Sequence, residues 1–306
     1  MHREIEKYLA HLVPLLLQRG IDISDKREIS YGLQLRLSRN ADKSVLNLYY
    51  SEKKGLSTVV GGSSTSDLKA ELEALLLGER NPYTGPGLHS WNSWIGSDEC
   101  GKGDYFGPLI GSAFYCSKDQ VPKLKEIGVE DSKKLNEKLI YQIAKELYLN
   151  FPGQANSVVI KPRRYNELIA DFKQRGRNLN DLLAWLHFKV ISGILDERPN
   201  TEGVIIDQFS KAQKARALII PKYPDVNVVE RTAAERDIAV AAASILSRYQ
   251  FLEHMKKMSN SFDMSFPLGA NKRVIDSARS FIQKHGKERF DEVAKLHFKT
   301  TQQLGL

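Results

Sequence analysis

Cysteine is nearly absent from this sequence, since Cys100 and Cys116 are the only two in 306 residues. Two cysteines cannot build a disulfide framework or a zinc cluster, and their scarcity fits a reducing compartment. The sequence also lacks an apolar run long enough to span a bilayer, and the residues after Met1 do not have the regions of a signal peptide. We therefore expect a soluble, cytoplasmic protein that does not associate with membranes.

Motifs of several common enzyme classes are missing as well. No Gly-x-x-x-x-Gly-Lys-Ser/Thr run occurs, which argues against a nucleoside triphosphatase, and no Cys/His spacing typical of zinc ligands is found. Internal repeats and low-complexity segments are also missing. What remains is a sequence of ordinary hydrophobic content, 42%, with enough residues for one or two domains.

The charge balance of the sequence is basic. The formal net charge is +8 at pH 7, and the isoelectric point is about 9.2. This profile is typical of a protein that binds a polyanion, so we expect a nucleic-acid partner, with a solvated basic surface as the simpler alternative. No obligate protein partner is indicated, and a monomer is the default expectation.

Residues 1–80 have the pattern of a self-contained α/β unit. Apolar residues recur at helical spacing from Ile5 to Leu17, and alternating segments between 33 and 60 predict a three-stranded meander. A helix rich in leucine and alanine is predicted from about Ser66. Residues 81–93 contain several prolines and glycines, which cannot continue a helix or a central strand, so we expect a linker there.

The second domain, residues 94–306, mixes strand and helix signals. Strands are predicted at 94–99, 109–116, 156–161, 202–207 and around 226–229. Helices are predicted at about 136–150, 163–174, 181–196 and 237–258, with two more in the tail. Asn180 is the predicted cap of the third of these helices.

The most informative segment runs from Ile95 to Pro108. A predicted strand leads into two adjacent carboxylates, Asp98 and Glu99, and then into a loop with three glycines and Lys102. Paired carboxylates suit a hard divalent cation, and glycines let the main chain approach a substrate closely. Successive strand side chains point to opposite faces, so both acids can serve one site only if the strand ends between them or one contributes its carbonyl. A polar strand end is the simpler interpretation of an isolated pair.

Further acids stand at two later positions. Asp207 ends a predicted buried strand, where α/β sheets bind ligands, although it could equally cap the next helix. Glu235 and Asp237 precede a helix of small residues, where acids also occur for dipole reasons alone. Three or four converging carboxylates repel each other unless cations neutralise them, and an oxygen-only set selects Mg²⁺ or Mn²⁺ rather than zinc. Two such ions would suit hydrolysis of a phosphodiester.

These segments resemble the type 2 ribonuclease H family, and most of all its ribonuclease HIII group. The resemblance covers roughly residues 94–300, and its first motif is the most specific. Lys102 within Gly-Lys-Gly, where ribonuclease HII has Gly-Arg-Gly, favours the HIII group, as does the additional amino-terminal unit. The matching segments are Gly96–Pro108, Asp131–Leu135, Tyr165-Asn166, Asn178–Asn180, Leu183–His187, Ile206–Phe209, Ala242–Ile245 and Ala294–Phe298.

The resemblance implies both a fold and an activity. The fold would be α/β, a ribonuclease H-like mixed five-stranded sheet flanked by helices, with a small amino-terminal domain that resembles the TATA-binding-protein fold and binds substrate. The activity would be hydrolysis of the RNA strand of RNA–DNA hybrids with two Mg²⁺ or Mn²⁺ ions, leaving 5′-phosphate and 3′-hydroxyl ends. Three alternatives stay open: a ribonuclease HII-type enzyme acting on single embedded ribonucleotides, a non-catalytic hybrid-binding protein, and a different metal-dependent nuclease or phosphatase.

The resemblance also implies a catalytic and metal-binding set, which consists of Asp98, Glu99, Asp207 and Glu235. Asp237 stays an alternative fourth ligand, because the segment after Glu235 is about one residue shorter than the family pattern. We expect the substrate to contact Gly101, Lys102, Gly103, Lys133, Lys134, Tyr49, Lys53 and Lys54, although ordinary surface charge is the simpler interpretation for each lysine. His187 is expected to pack in the core, and His297 fits either a structural or a substrate-facing role.

Overall fold

The computed structural model describes residues 3–40, 42–51, 55–63, 66–69, 71–72, 89–130, 132–210 and 212–305. Lys53, Lys54 and Asp131 lie outside these ranges. The chain divides into two compact units, Met1–Ser90 and Trp91–Leu306. None of the described helices is both long and apolar enough to cross a membrane.

The first unit packs a helix on an antiparallel sheet. Helix α1 (Arg3–Gln18) precedes four strands that pair in sequence order, β1 (Asp22–Ile29), β2 (Gly32–Arg39), β3 (Asp42–Ser51) and β4 (Gly55–Gly61). Alternate residues of β2 and β3, such as Leu35 and Leu46, form one buried cluster with the apolar face of α1. The other sheet face is polar, and on it the Gln34 amide donates to Asn47 Oδ1 over 2.8 Å.

The sheet of the first unit has four strands, so the prediction of three was wrong. The missed strand is β1, whose sequence Asp-Ile-Ser-Asp-Lys-Arg-Glu-Ile is exposed along most of its length. Among the described strands it is an edge strand that pairs with β2, and an edge strand needs no continuous apolar face. Its composition therefore gives no alternating signal, whereas β2 alternates clearly.

The second unit is built around a five-stranded mixed sheet with the strand order β7-β6-β5-β8-β9. At its centre, β5 (Ser93–Cys100) is antiparallel to β6 (Leu109–Ser117) and parallel to β8 (Gly203–Asp207). The outer strands are β7 (Ala155–Ile160), antiparallel to β6, and β9 (Asn227–Arg231), parallel to β8. The predicted ribonuclease H-like mixed sheet is thereby confirmed.

Helices cover both faces of this sheet. The described α-helices of the second unit are α2 (Val121–Ile127), α3 (Glu137–Asn150), α4 (Pro162–Gln174), α5 (Leu179–Leu195), α6 (Lys214–Ile219), α7 (Ile238–Phe262), α8 (Lys272–His285) and α9 (Lys299–Gln303). Ile95 of β5 packs in a buried cluster with residues of α5, whereas the next residue, Gly96, faces α7. Since neighbouring strand residues point to opposite faces, α5 and α7 lie on opposite sides of the sheet.

Helix α7 approaches the centre of the sheet unusually closely. A Cβ atom on Gly96 would lie only 2.1 Å from the backbone nitrogen of Val240, so this approach requires glycine. The neighbouring residues of α7, including Ala239 and Ala243, are small and buried. The prediction that a small-residue helix packs tightly on the sheet is confirmed. The amino end of α7, at Asp237, meets Trp94 near the start of β5, and Ser244, further along the helix, faces Asp98 at the carboxyl edge of the sheet.

Helix α5 begins two residues earlier than predicted. Its cap is Asn178, whose side chain accepts a hydrogen bond of 2.9 Å from the Asn180 N–H. Asp181 completes a capping box by accepting a 2.8 Å hydrogen bond from the Asn178 N–H. The prediction of Asn180 as the cap was therefore wrong, because two good capping residues stand two positions apart and the sequence does not rank them.

Candidate active site

The two central parallel strands both lead into carboxylates. The pairing of β5 with β8 stops at Ser97 and Ile206, and the next residue of each strand is an acid, Asp98 and Asp207. Adjacent strands lie about 4.8 Å apart, so the two acids stand side by side. Asp207 is the last residue of β8, and Asp98 lies two residues before the end of β5. Both acids therefore stand at the carboxyl edge of the parallel strands, where α/β sheets bind ligands.

Asp98 lies on the α7 side of the sheet. The Ser244 hydroxyl of α7 faces its carboxylate and favours the charged form, and Asp98 Oδ1 accepts from the Glu99 N–H over 2.7 Å. Loss of hydration and the charges of Glu99 and Asp207 raise the pKa of Asp98 to about 7. Ser244 also meets the Ser132 hydroxyl at 2.7 Å, so α7 links Asp98 to the turn Ser132–Lys134.

Glu99 lies on the opposite, α5 side of the sheet. Its Oε2 is 3.0 Å from Nε2 of His187, and its Oε1 is 3.5 Å from Nζ of Lys102. Burial alone would raise the pKa of Glu99, but the hydrogen bonds and charges of His187 and Lys102 lower it below its usual value. The strand continues to Cys100, so the expectation that it could end between the two acids was wrong. Glu99 can therefore join Asp98 in one site only with its main-chain carbonyl or after a change of rotamer.

His187 is completely buried and makes polar contacts with both ring nitrogens. Besides Glu99, it meets the Ser97 hydroxyl at 2.8 Å through Nδ1. Its ring also stacks on Phe209, with 5.2 Å between ring centroids. The prediction of core packing therefore described only part of its role and missed the carboxylate. The sequence did offer a signal for this contact, namely one polar side chain on an otherwise apolar helix. A buried polar group needs a hydrogen-bond partner, so a partner for His187 could have been expected.

The acids near the start of α7 differ in their surroundings. Asp207 accepts a 3.3 Å hydrogen bond from Ala234 N–H, and burial together with the charges of Glu235 and Glu99 raises its pKa. Glu235 keeps 21% of its side chain exposed, with Oε1 4.0 Å from Lys133 Nζ. Glu235 is therefore an accessible acid whose charge acts on Asp207.

Asp237, the alternative fourth ligand, is the cap of α7. Its Oδ1 accepts hydrogen bonds from the N–H groups of Ala239 and Val240, at 2.9 and 3.1 Å. The indole N–H of Trp94 donates to the same oxygen over 3.0 Å, and only 5% of the residue is exposed. These contacts give Asp237 a structural role and favour Glu235 over Asp237 as the fourth acid of the site.

Gly101 and Gly103, which follow Glu99, differ in the space around them and in their backbone conformation. Gly101 has a φ of +90°, and a Cβ there would lie 2.2 Å from the Pro108 carbonyl oxygen and 2.9 Å from the Phe251 ring. Gly103 is exposed, and no heavy atom lies within 4 Å of a Cβ built on it. The internal fold of the turn thus requires Gly101, whereas the space beside Gly103 is open to a ligand.

The remaining expected binding residues fall into three groups. Lys102 and Lys133 approach Glu99 and Glu235, and Lys134 is exposed on the same turn as Lys133. Tyr49 lies in the first unit, on the face of β3 opposite the buried leucines. Lys53 and Lys54 fall outside the described residues.

His297 packs among aromatic side chains. Its Nε2 is 3.4 Å from the Tyr165 hydroxyl, and its ring centroid is 4.6 Å from that of Phe298. Burial, with smaller effects from Lys173 and Lys295, lowers the pKa of His297 to about 4. These contacts favour the structural one of its two expected roles.

The acidic side chains of the site fit a hard divalent cation in their chemistry. All four donors are carboxylates, and the raised pKa values of Asp98 and Asp207 reflect in part a repulsion that a cation would relieve. In the described part of the chain, no three His, Cys, Asp or Glu side chains already stand in ion-binding positions. Some of these carboxylates would therefore have to change rotamer to hold an ion together.

Known proteins of similar sequence belong to one enzyme family. A family model for ribonuclease HII matches residues 95–301. Ribonuclease HIII of Bacillus cereus (strain ZK / E33L) is 42% identical over 226 residues, which cover 72% of this chain and 70% of that protein. Ribonuclease HIII of Bacillus mycoides (strain KBAB4) is 41% identical over the same shares of both chains.

Solved structures of the same kind match nearly the whole chain. Bst-RNase HIII in complex with Mn²⁺ has a TM-score of 0.63 and 26% identity, covering 96% of this chain and 95% of that one. RNase H3 of Aquifex aeolicus has a TM-score of 0.53 and 25% identity, covering 97% of each chain. The chain therefore belongs to the ribonuclease HIII group of the type 2 ribonuclease H family, a family of hydrolytic endoribonucleases.

Proposed function

We propose that this protein hydrolyses the RNA strand of RNA–DNA hybrids and leaves 5′-phosphate and 3′-hydroxyl ends. Asp98, Glu99, Asp207 and Glu235 would hold two Mg²⁺ or Mn²⁺ ions. The observation that carries the proposal is the pair of carboxylates at the ends of adjacent parallel strands, in a chain of the ribonuclease HIII group. That Bst-RNase HIII has been solved with Mn²⁺ supports the choice of ion.

The chain's own residues would orient the carboxylates from both sides of the sheet. Ser244 fixes Asp98 from α7, and His187 holds one oxygen of Glu99 from α5. When bound, divalent ions activate water and neutralise the charge that develops on the scissile phosphate. Lys102 lies beside Glu99, and 37% of its side chain is exposed. It would therefore be able to leave this carboxylate and contact a substrate phosphate instead.

The glycine-rich turn would supply the preference for RNA. The open space beside Gly103 lets a sugar approach the main chain, and the 2′-hydroxyl is the group that distinguishes RNA from DNA at a given position. Lys133 and Lys134, exposed on their turn near Glu235, would contact phosphates, in keeping with the net charge of +8.

The first unit would contribute to binding of the hybrid. The sheet face opposite α1 carries Gln34, Asn47 and Tyr49, whose side chains can hydrogen-bond to or pack on a nucleic-acid backbone. Lys53 and Lys54, which lie outside the described residues, would add charge contacts. Such contacts position a duplex without reading its base sequence.

A substrate and metal comparison tests the proposed function. A uniform RNA–DNA hybrid, a DNA duplex with one ribonucleotide and a plain RNA duplex are each incubated with Mg²⁺, Mn²⁺ or a chelator. We expect cleavage of the hybrid only when a metal is present, with a D207N variant inactive on all three. Preferential cleavage beside the single ribonucleotide would point to a ribonuclease HII-type enzyme. Binding of the hybrid without cleavage would point to a non-catalytic protein.

A further inference from the structure

Lys295 is completely buried, which is rare for a charged side chain. Its Nζ lies 3.3, 2.5 and 3.4 Å from the carbonyl oxygens of Phe106, Gly107 and Pro108. Three consecutive backbone acceptors thus converge on one amine. Only the ammonium form carries three hydrogens to donate to them.

The backbone around Lys295 is fastened to the same turn. Its N–H donates to the Tyr105 carbonyl over 2.8 Å, and the Gly107 N–H donates to the Val293 carbonyl over 2.9 Å. Between these two bonds, Phe106 and Ala294 form an antiparallel bridge. The segment Val293–Leu296, which we call the brace, is therefore fastened along the glycine-rich turn, residues 101–108.

Asn166 of α4 holds this brace from the other side. Its amide donates to the Ala294 carbonyl, and its Oδ1 accepts from the Leu296 N–H, both over 2.9 Å. The residues on either side of Lys295 are thus anchored to a helix. The position of the ammonium relative to the turn is therefore fixed.

Core stability does not account for a lysine at this position. Burial lowers the pKa of Lys295 to about 7, and the carboxylate of Asp104 acts in the opposite direction. An apolar side chain of similar length would avoid the desolvation of a charge. What an apolar side chain could not do is donate to the three carbonyls, and buried carbonyls need donors.

We propose that Lys295 is a positioning residue that holds the glycine-rich turn in the shape with which Gly101–Gly103 recognise the ribose of the substrate. The inference rests on the proposed function of that turn. Lys295 acts through the backbone of Phe106–Pro108 and does not itself touch the substrate, because its side chain is enclosed.

The test compares K295M with K145M, which removes the charge of an exposed lysine on α3. Fluorescence anisotropy gives the Kd of each protein for a hybrid and for a DNA duplex of the same sequence, in chelator so that nothing is cleaved. In K295M we expect the preference for the hybrid over DNA to fall roughly fivefold, the effect of about one lost hydrogen bond. In K145M the ratio of the two Kd values should not change, because the loss of an exposed positive charge would affect binding of both duplexes equally.

Hydrogen exchange supplies a second readout that does not depend on substrate. The amides of residues 101–107 should exchange faster in K295M than in the parent protein, while those of α7 keep their rates. If K295M does not fold, N166A loosens the brace without touching the turn and should change both readouts in the same direction. A folded K295M with the parent's preference and exchange rates would overturn the proposal. A parent protein without preference for hybrid would contradict the proposed function alone, because the exchange comparison still tests the brace.

Discussion

The imidazole Nε2 of His187 lies 3.0 Å from Oε2 of Glu99, and this contact connects the buried helix α5 to the acidic end of β5. The other oxygen of the same carboxylate faces Lys102 at 3.5 Å. Glu99 is thus oriented by donors on both oxygens before any ion is bound. Partners of this kind fix the direction of a ligand and commonly contribute to metal affinity.

Replacing His187 should therefore weaken metal binding. H187F keeps an aromatic ring to stack on Phe209 but removes both nitrogens, so Glu99 loses its donor. We expect the affinity for Mn²⁺ to fall about 10- to 100-fold, as measured by isothermal titration calorimetry. K189M, at an exposed position of the same helix, is the matched control and should bind like the parent. An H187F protein with the parent's affinity for Mn²⁺ would show that His187 contributes to packing but not to metal binding.

Substitutions of the two acids before α7 should affect different properties, catalysis at Glu235 and stability at Asp237. E235Q should slow hydrolysis of a hybrid by roughly 100-fold or more, because each lost 1.4 kcal/mol of transition-state stabilisation is about tenfold in rate. D237A should instead lower the free energy of unfolding by about 0.5–2 kcal/mol, since it removes a helix cap. Urea unfolding and initial rates on the same preparations distinguish them. The reverse pattern would make Asp237 the fourth ligand.

The sequence predicted those parts of the site and fold that local patterns encode. The carboxylates, the mixed sheet and the close packing of α7 follow from a motif, from alternation and from small residues. The contact of His187 with Glu99 joins positions 88 residues apart, and no local pattern shows it. The edge strand β1 has no apolar face, so its pairing with β2 is decided by tertiary structure rather than composition.

The buried Gly101 and the exposed Gly103 should respond differently to substitution by alanine. G103A adds a methyl group in open space, so we expect unchanged stability and a higher KM for the hybrid if a sugar approaches there. G101A forces a side chain into a φ of +90° and against Pro108, and should lower the free energy of unfolding by at least about 1 kcal/mol. Urea titrations and steady-state kinetics of both variants provide the check. A G103A enzyme with the parent's KM would argue against close backbone contact.

Metal affinity should depend on pH through Asp98. Burial and the neighbouring acids raise the pKa of this carboxyl to about 7, so a proton competes with a cation below that value. The affinity for Mn²⁺ should rise as pH increases from 5.5 to 7 and level off above it, by up to about tenfold per pH unit. Calorimetry in buffers of different ionisation enthalpy would also detect the released proton. D98N should bind weakly and lose this dependence; a parent protein with constant affinity across the range would contradict the assignment.

Salt dependence should reveal the contribution of Lys53 and Lys54. If both pair with phosphates of the hybrid, the K53A/K54A variant should reduce the slope of log Kd against log salt by about two. The control, K7A/R19A, removes two exposed charges on or just after α1, on the other side of the sheet from Tyr49, and should leave the slope unchanged. Because a general loss of positive charge would affect both variants equally, only a difference between them supports a binding face on the first unit. Equal slopes for the two variants would indicate that the second unit, and not this face of the first, binds the hybrid.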